Sequence, residues 1–169
     1  MRRAIRLRPG ASGYHAELGR VLVAAARYGD AEVAFRTAVQ ISPDGSGYWA
    51  ELGRVLLSLK RPSEAERALV DATRLDPLDP GHQADLGQVL LSRRQFAAAE
   101  SHFRAALSHD PDNLHYRVGL ARAFSGQNQW AKAEKLPPRS SSSARSRRVP
   151  WLNWAGCSPP GEDSRRRSG

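Results

Sequence analysis

Apolar side chains recur along this chain with a helical period that restarts every 34 residues. Leu18, Val21, Leu22 and Ala25 fall at i, i+3, i+4 and i+7, which is one face of an α-helix. A second stripe follows at Ala31, Ala34, Phe35, Ala38 and Ile41, then stops at Pro43. The next pair of stripes has Leu52, Gly53, Val55 and Leu56, then Ala65, Leu69, Ala72 and Leu75. The third has Leu86, Gly87, Val89 and Leu90, then Phe96, Ala99, Phe103, Ala106 and Leu107. Leu120, Ala121, Ala123 and Phe124 make a fourth first stripe, and Trp130 and Ala133 open its partner.

Self-similarity at a fixed stride of this length signals stacked helical units. The spacing predicts complete units at 12–45, 46–79 and 80–113, and a truncated one at 114–136. Ala4, Leu7 and Pro9 stand one stride before Ala38, Ile41 and Pro43, so residues 1–11 read as the remnant of a preceding unit. The chain thus has the pattern of a fragment of a longer array. Within a unit, Ser12 is an expected N-cap. Gly29-Asp30 is the expected break between the first two helices, with Asp30 capping the second. Pro62 and Pro80 fit first-turn positions, where the missing N–H costs nothing, and Asp79 precedes Pro80 as a cap. Gly19 is expected to face Ala31 and Ala38 where the pair crosses, with Phe35 filling the gap. Gly45-Ser46-Gly47 reads as a turn between units.

The helical period ends at Pro137-Pro138, since proline inside a helix costs about 3 kcal/mol or more. Residues 137–169 are rich in serine and proline, carry arginine as their sole basic residue, and read as a disordered basic tail. Charge follows these boundaries. The net charge of +9 divides into +4 for 1–11, −3 for 12–113, +3 for 114–136 and +5 for 137–169. The repeats are therefore slightly acidic, which argues against a folded surface built to track phosphates. The tail, with Trp151 and Trp154 among its arginines, is a secondary candidate for nucleic acid.

Catalytic constellations are missing. The one cysteine, Cys157, excludes an internal disulfide and a Cys-based zinc cage. His15, His82, His102, His109 and His115 include no i, i+4 pair, and His102 and His109 fall on second-helix packing positions. No cofactor or metal is expected, and the chain reads as a non-enzyme. No apolar run approaches the ~20 residues that span a bilayer. The basic N-terminus lacks the apolar segment of a secretory signal, so a cytoplasmic location is expected.

These residues resemble the tetratricopeptide repeat. In the second unit the signature is Trp49, Leu52, Gly53, Leu56, Ala65, Leu69, Ala72 and Pro77, and the likeness covers roughly 4–136. Leu22, Leu56, Leu90 and Phe124 stand where the family has an aromatic. The resemblance implies an all-α, right-handed superhelical solenoid that acts as a protein-binding scaffold, with a peptide held in a concave groove lined by the first helices. It places Arg20 and Val23, then Arg54 and Leu57, then Gln88 and Leu91, then Arg122 in that groove. Ala16, Ala50 and Ala84 would share the face and leave room. The arginines would grip carboxylates bidentately, so the implied ligand is acidic and aliphatic. Against this, Glu17 and Glu51 sit three residues before Arg20 and Arg54, and such pairs are worth about 0.2–0.5 kcal/mol on a helix surface. The Lys/Asn clamp of chaperone-binding members is not visible at these positions.

A second reading is a non-catalytic repeat fragment of a larger enzyme or of a secretion or assembly component. Uncapped ends of the array, with Leu120, Phe124 and Trp130 partly bare, predict self-association. The loss of pattern in mid-helix also fits a shifted reading frame. Translation of the other two frames past codon 136 is then expected to restore an aromatic, an alanine and a proline at the repeat spacing, and a frame without them rejects the shift.

Overall fold

The computed structural model describes residues 11–136. Residues 1–10 of the remnant expected at 1–11, and the tail at 137–169 with its expected disorder and the less favoured nucleic-acid reading, lie outside the described residues. Those described form eight α-helices and no strand: α1 Ser12–Ala24, α2 Tyr28–Ile41, α3 Ser46–Ser58, α4 Pro62–Leu75, α5 Pro80–Ser92, α6 Phe96–His109, α7 Leu114–Gly126 and α8 Trp130–Ala133. Each helix packs on the next in sequence, and first helices also meet the next first helix at α3–α5 and α5–α7. A core built from neighbours alone is that of a solenoid.

The turn inside each pair is set by a device the sequence hides. Ala26, Lys60, Arg94 and Asn128 all adopt left-handed backbone with φ near 60°. This lets Arg27 N–H reach Leu22 O at 2.8 Å, and Arg61, Gln95 and Gln129 repeat the bond to Leu56, Leu90 and Phe124 at 2.9 Å. These bonds satisfy the carbonyls left over at a helix end, as in a Schellman motif. No glycine marks the site, so the break falls at Ala25–Arg27 rather than at Gly29-Asp30. Asp30 is not a cap but lies in the first turn of α2, donated to by Arg27 Nε at 2.7 Å.

Between pairs, Ser42, Asp76 and Asp110 leave the helical conformation just before Pro43, Pro77 and Pro111. The following helix is started in several ways. Asp79 Oδ1 accepts from Gly81 N at 2.7 Å and His82 N at 3.1 Å, and Pro80 opens α5. Asn113 Oδ1 accepts from His115 N and Tyr116 N at 3.1 and 3.3 Å. Ser12 is not a cap, because Ala11 holds that place; the Ser12 hydroxyl instead accepts from Ser42 Oγ at 3.0 Å. Gly45 takes the N-cap place of α3, and Ser46 and Gly47 are helical rather than part of a turn. Trp49 Nε1 and Gln83 Nε2, one stride apart, donate back to the carbonyls of Pro43 and Pro77 at 2.9 and 3.2 Å.

Within a pair, the first helix approaches through glycine. A Cβ on Gly19 would lie 2.7 Å from the Phe35 ring, and one on Gly53 would lie 2.5 Å from Leu69 Cγ. Phe35, Leu69 and Phe103 are essentially inaccessible, as are Ala31, Ala65 and Ala99. Between pairs, a stride of carboxylates ties second helices to the next turn. Glu32 accepts from Arg61 at 2.8 Å, Glu66 pairs with Arg93, and Glu100 accepts from Gln127 Nε2 at 2.7 Å. Such pairs are worth at most ~1 kcal/mol each at the surface, so apolar packing carries the stack.

One end differs in part from the expectation: Leu120 and Phe124 are buried rather than bare, while Trp130 is partly exposed as expected. α7 packs on α6, and Arg104 and Lys132 each place a cation 5.7 Å from the centre of the Phe124 ring. At the other end Val21 is 53 % exposed, whereas Val55 and Val89 one and two strides on are 2 % and 0 % exposed. Ala25 is exposed with it.

Gly53→Ala is expected to destabilise the fold by about 1–3 kcal/mol through overpacking against Leu69. Gly47→Ala, where a Cβ meets nothing within 4 Å, is expected to stabilise by about 0.5–1 kcal/mol. Urea unfolding of the two variants checks the contrast, and equal effects would refute the contact argument.

Candidate functional site

The side-by-side packing of first helices puts one polar face in register along the stack. Arg20 contacts Glu17 on its own helix and reaches Glu51 on α3, with Nε 3.5 Å from Oε1. Arg54 Nη1 lies 3.2 Å from Glu51 Oε2, and its Nε donates to Asp85 Oδ2 on α5 at 2.7 Å. Glu17, Arg20, Glu51, Arg54 and Asp85 therefore form one ladder of alternating charge across three helices. The i, i+3 pairs visible in sequence are only half of it. The cross-helix rungs were not anticipated, although the stride of Glu17, Glu51 and Asp85 was a signal for them.

Of the residues expected in the groove, Arg20 and Arg54 are about half exposed, and Val23, Leu57, Gln88, Leu91 and Arg122 are partly buried. Ala16, Ala50 and Ala84 are buried at 1 %, 0 % and 2 %, although Ala16 still lines a cleft at α1. They sit in the contact between helices, which explains why only small side chains occupy them. Gln88, Leu91 and Arg122 come together in a cleft of about 480 Å³ between α5 and α7. Arg94, Phe96, Asn128 and Trp130 complete it from the turns and the mouths of α6 and α8. Sequence reasoning missed these four. Their signal was positional, because Tyr28, Pro62, Phe96 and Trp130 share one stride at the entry of the second helix. A second cleft of about 400 Å³ lies at α1, lined by Tyr14, Glu17, Arg20 and Tyr48. Arg54, Val23 and Leu57 line neither of these clefts.

Electrostatics matches the geometry. Burial pushes the Asp85 carboxyl upward, and the Arg54 guanidinium beside it holds that rise in check. For Arg54, burial acts downward, but Asp85 and Glu51 outweigh it and the guanidinium is held above its usual value. Burial lowers His102, whose Nδ1 lies 2.8 Å from Gln83 Oε1 in the contact between α5 and α6. His109 is exposed at the end of α6. Among the described residues, no group of three or more His, Cys, Asp or Glu is placed to hold a metal, and no helix is long and apolar enough to cross a membrane.

The raised Asp85 binds more protons folded than unfolded between ~4 and its native midpoint. Its contribution to stability therefore falls as pH rises through that window. Arg54→Ala is expected to move the Asp85 midpoint higher still. Carboxyl carbon-13 NMR titration measures it, and an unmoved midpoint refutes the coupling.

Among solved structures, MamA superposes with a TM-score of 0.74 at 18% identity, over 80% of this chain and 79% of that one. YrrB, a tetratricopeptide protein with an unusual peptide-binding site, gives 0.69 at 23% identity over 79% and 69%. The Arabidopsis OM64 tetratricopeptide domain gives 0.65 at 21% identity over 67% and 93%. At these identities the likeness is one of fold. No curated protein sequence matches the chain. The tetratricopeptide repeat profile matches residues 2–87 and 90–136. With most of its length accounted for by that profile and its helices stacked in pairs, this chain belongs to the tetratricopeptide repeat family.

Proposed function

We propose that the chain is a protein-interaction scaffold that holds an extended segment of a partner along its first-helix face. The family and its peptide-binding relative support a scaffold in general terms. The observation that carries the groove reading is the cleft between α5 and α7, which gathers Gln88, Leu91 and Arg122 beside aromatic side chains. Concave sites with apolar walls and a few convergent polar groups are where ligands bind. Arg20, Val23, Arg54 and Leu57 extend the face toward α1. The segment is acidic and aliphatic, because the cations on this face reach outward from apolar neighbours.

The charge ladder weights the residues unequally. Arg20 and Arg54 are already engaged by carboxylates, so a ligand acid must compete with Glu17, Glu51 and Asp85 for them. Their share of affinity is therefore modest.

Arg20→Ala, Arg54→Ala and Arg122→Ala combined are expected to weaken partner binding by ~10-fold or more. Affinity purification with residues 12–136 supplies the partner, and isothermal titration measures the change. A triple variant that keeps its helical circular dichroism and its full affinity refutes a role for these arginines.

A further inference from the structure

The face by which first helices are covered lies open on α1. Val21 is exposed and Leu18 half-buried, whereas Val55, Val89, Leu52 and Leu86 at the same places are buried. Ala24 and Ala25 are exposed beside them. Contacts further along the stack show what the end of a first helix takes. Just past α3, Arg61 Nη1 donates to Glu32 of α2 at 2.8 Å. Just past α7, Gln127 Nε2 donates to Glu100 of α6 at 2.7 Å. At the end of α7 itself, the Phe96 ring fills the space that a Cβ on Gly126 would need. Each of these partners comes from the first two turns of the preceding second helix.

The last described turn carries the same residues. Trp130 stands one stride after Phe96, and Glu134 continues the stride of Glu32, Glu66 and Glu100. Trp130 is half-buried and Glu134 is exposed. At the other end, Arg27 is the stride equivalent of Arg61. It holds Asp30 as Arg61 holds Glu64. Among the described residues, no second helix precedes α1 to bring Arg27 a further carboxylate. We propose that α1 seats the α8 end of a second copy of this chain, head to tail, the copy standing in for a preceding pair. Its Glu134 takes at Arg27 the place that Glu32 has at Arg61, and its Trp130 lies over Ala24 as Phe96 lies over Gly126. Charge complementarity selects this occupant. One end offers a cation beside an apolar stripe, and the other offers a carboxylate and a ring in the register the stack already uses. The contact joins unlike surfaces, so it does not close on itself and copies add in an open row. The groove and its ligand play no part in this contact.

Sedimentation velocity of the whole chain over a concentration series tests it. The sedimentation coefficient is expected to rise with concentration beyond that of a dimer. Glu134→Arg is expected to weaken association at least ~10-fold, and so is Arg27→Glu, while the two changes in one chain are expected to restore most of the loss. Val21→Asp, at an exposed position, is expected to weaken association by a similar factor and to keep the helical circular dichroism. A chain that stays monomeric across the series, as when its own residues 1–10 cover α1, overturns the proposal. So does association that stops at a closed dimer, and so does association that both charge reversals leave unchanged. Glu134 is exposed in the last described turn, so Glu134→Arg decides the matter even where Arg27→Glu, which gives up Asp30, misfolds.

Discussion

The first helix of each pair carries a face that only the preceding pair can cover, and the rest of the molecule follows from that constraint. Val21, Val55 and Val89 show it at a single position. The side chain is the same and so is the helix face, yet exposure falls from 53 % to 2 % and 0 % along the stack. Burial of an aliphatic side chain of this kind is worth roughly 1.5–3 kcal/mol. At Val55 and Val89 this outweighs a surface ion pair, which is worth at most ~1 kcal/mol.

Close stacking requires backbones to approach, and this explains the residues that look unremarkable in the sequence. Gly19, Gly53 and Gly87 admit Phe35, Leu69 and Phe103, while Ala16, Ala50 and Ala84 are buried on the first helices. Once helices lie this near, side chains of neighbouring helices fall within reach of one another. Arg54 then finds Asp85, and Glu32, Glu66 and Glu100 find the turns that follow them. Packing also shapes the electrostatics of the candidate site. Phe103 takes up the space beside Gly119, and the row of carboxylates ends there.

The turns show the reverse relation, in which geometry is demanded and the sequence complies at a cost. A left-handed residue costs about 1–2 kcal/mol without glycine, and Ala26, Lys60, Arg94 and Asn128 all accept that conformation. The bonds from the following N–H to Leu22, Leu56, Leu90 and Phe124 offset the strain. Because four unlike residues share one backbone state, composition could not reveal it, and Gly29 drew attention to the wrong place.

Periodicity alone determined the helical class, the pairing of helices, the stride and the packing stripe, because burial on a helix writes itself directly into the spacing of apolar residues. The same holds for Pro62, Pro80 and Asp79, whose local chemistry is decided within a single turn. The candidate groove was legible only as a face. Which of its residues touch was decided by tertiary structure, since Arg20 to Glu51, Arg54 to Asp85 and Gln88 to Arg122 are relations between helices about one stride apart. Ala50 and Ala84 were misplaced onto the surface for that reason. The width of a contact between two helices depends on how both are turned, and no single helix carries that information.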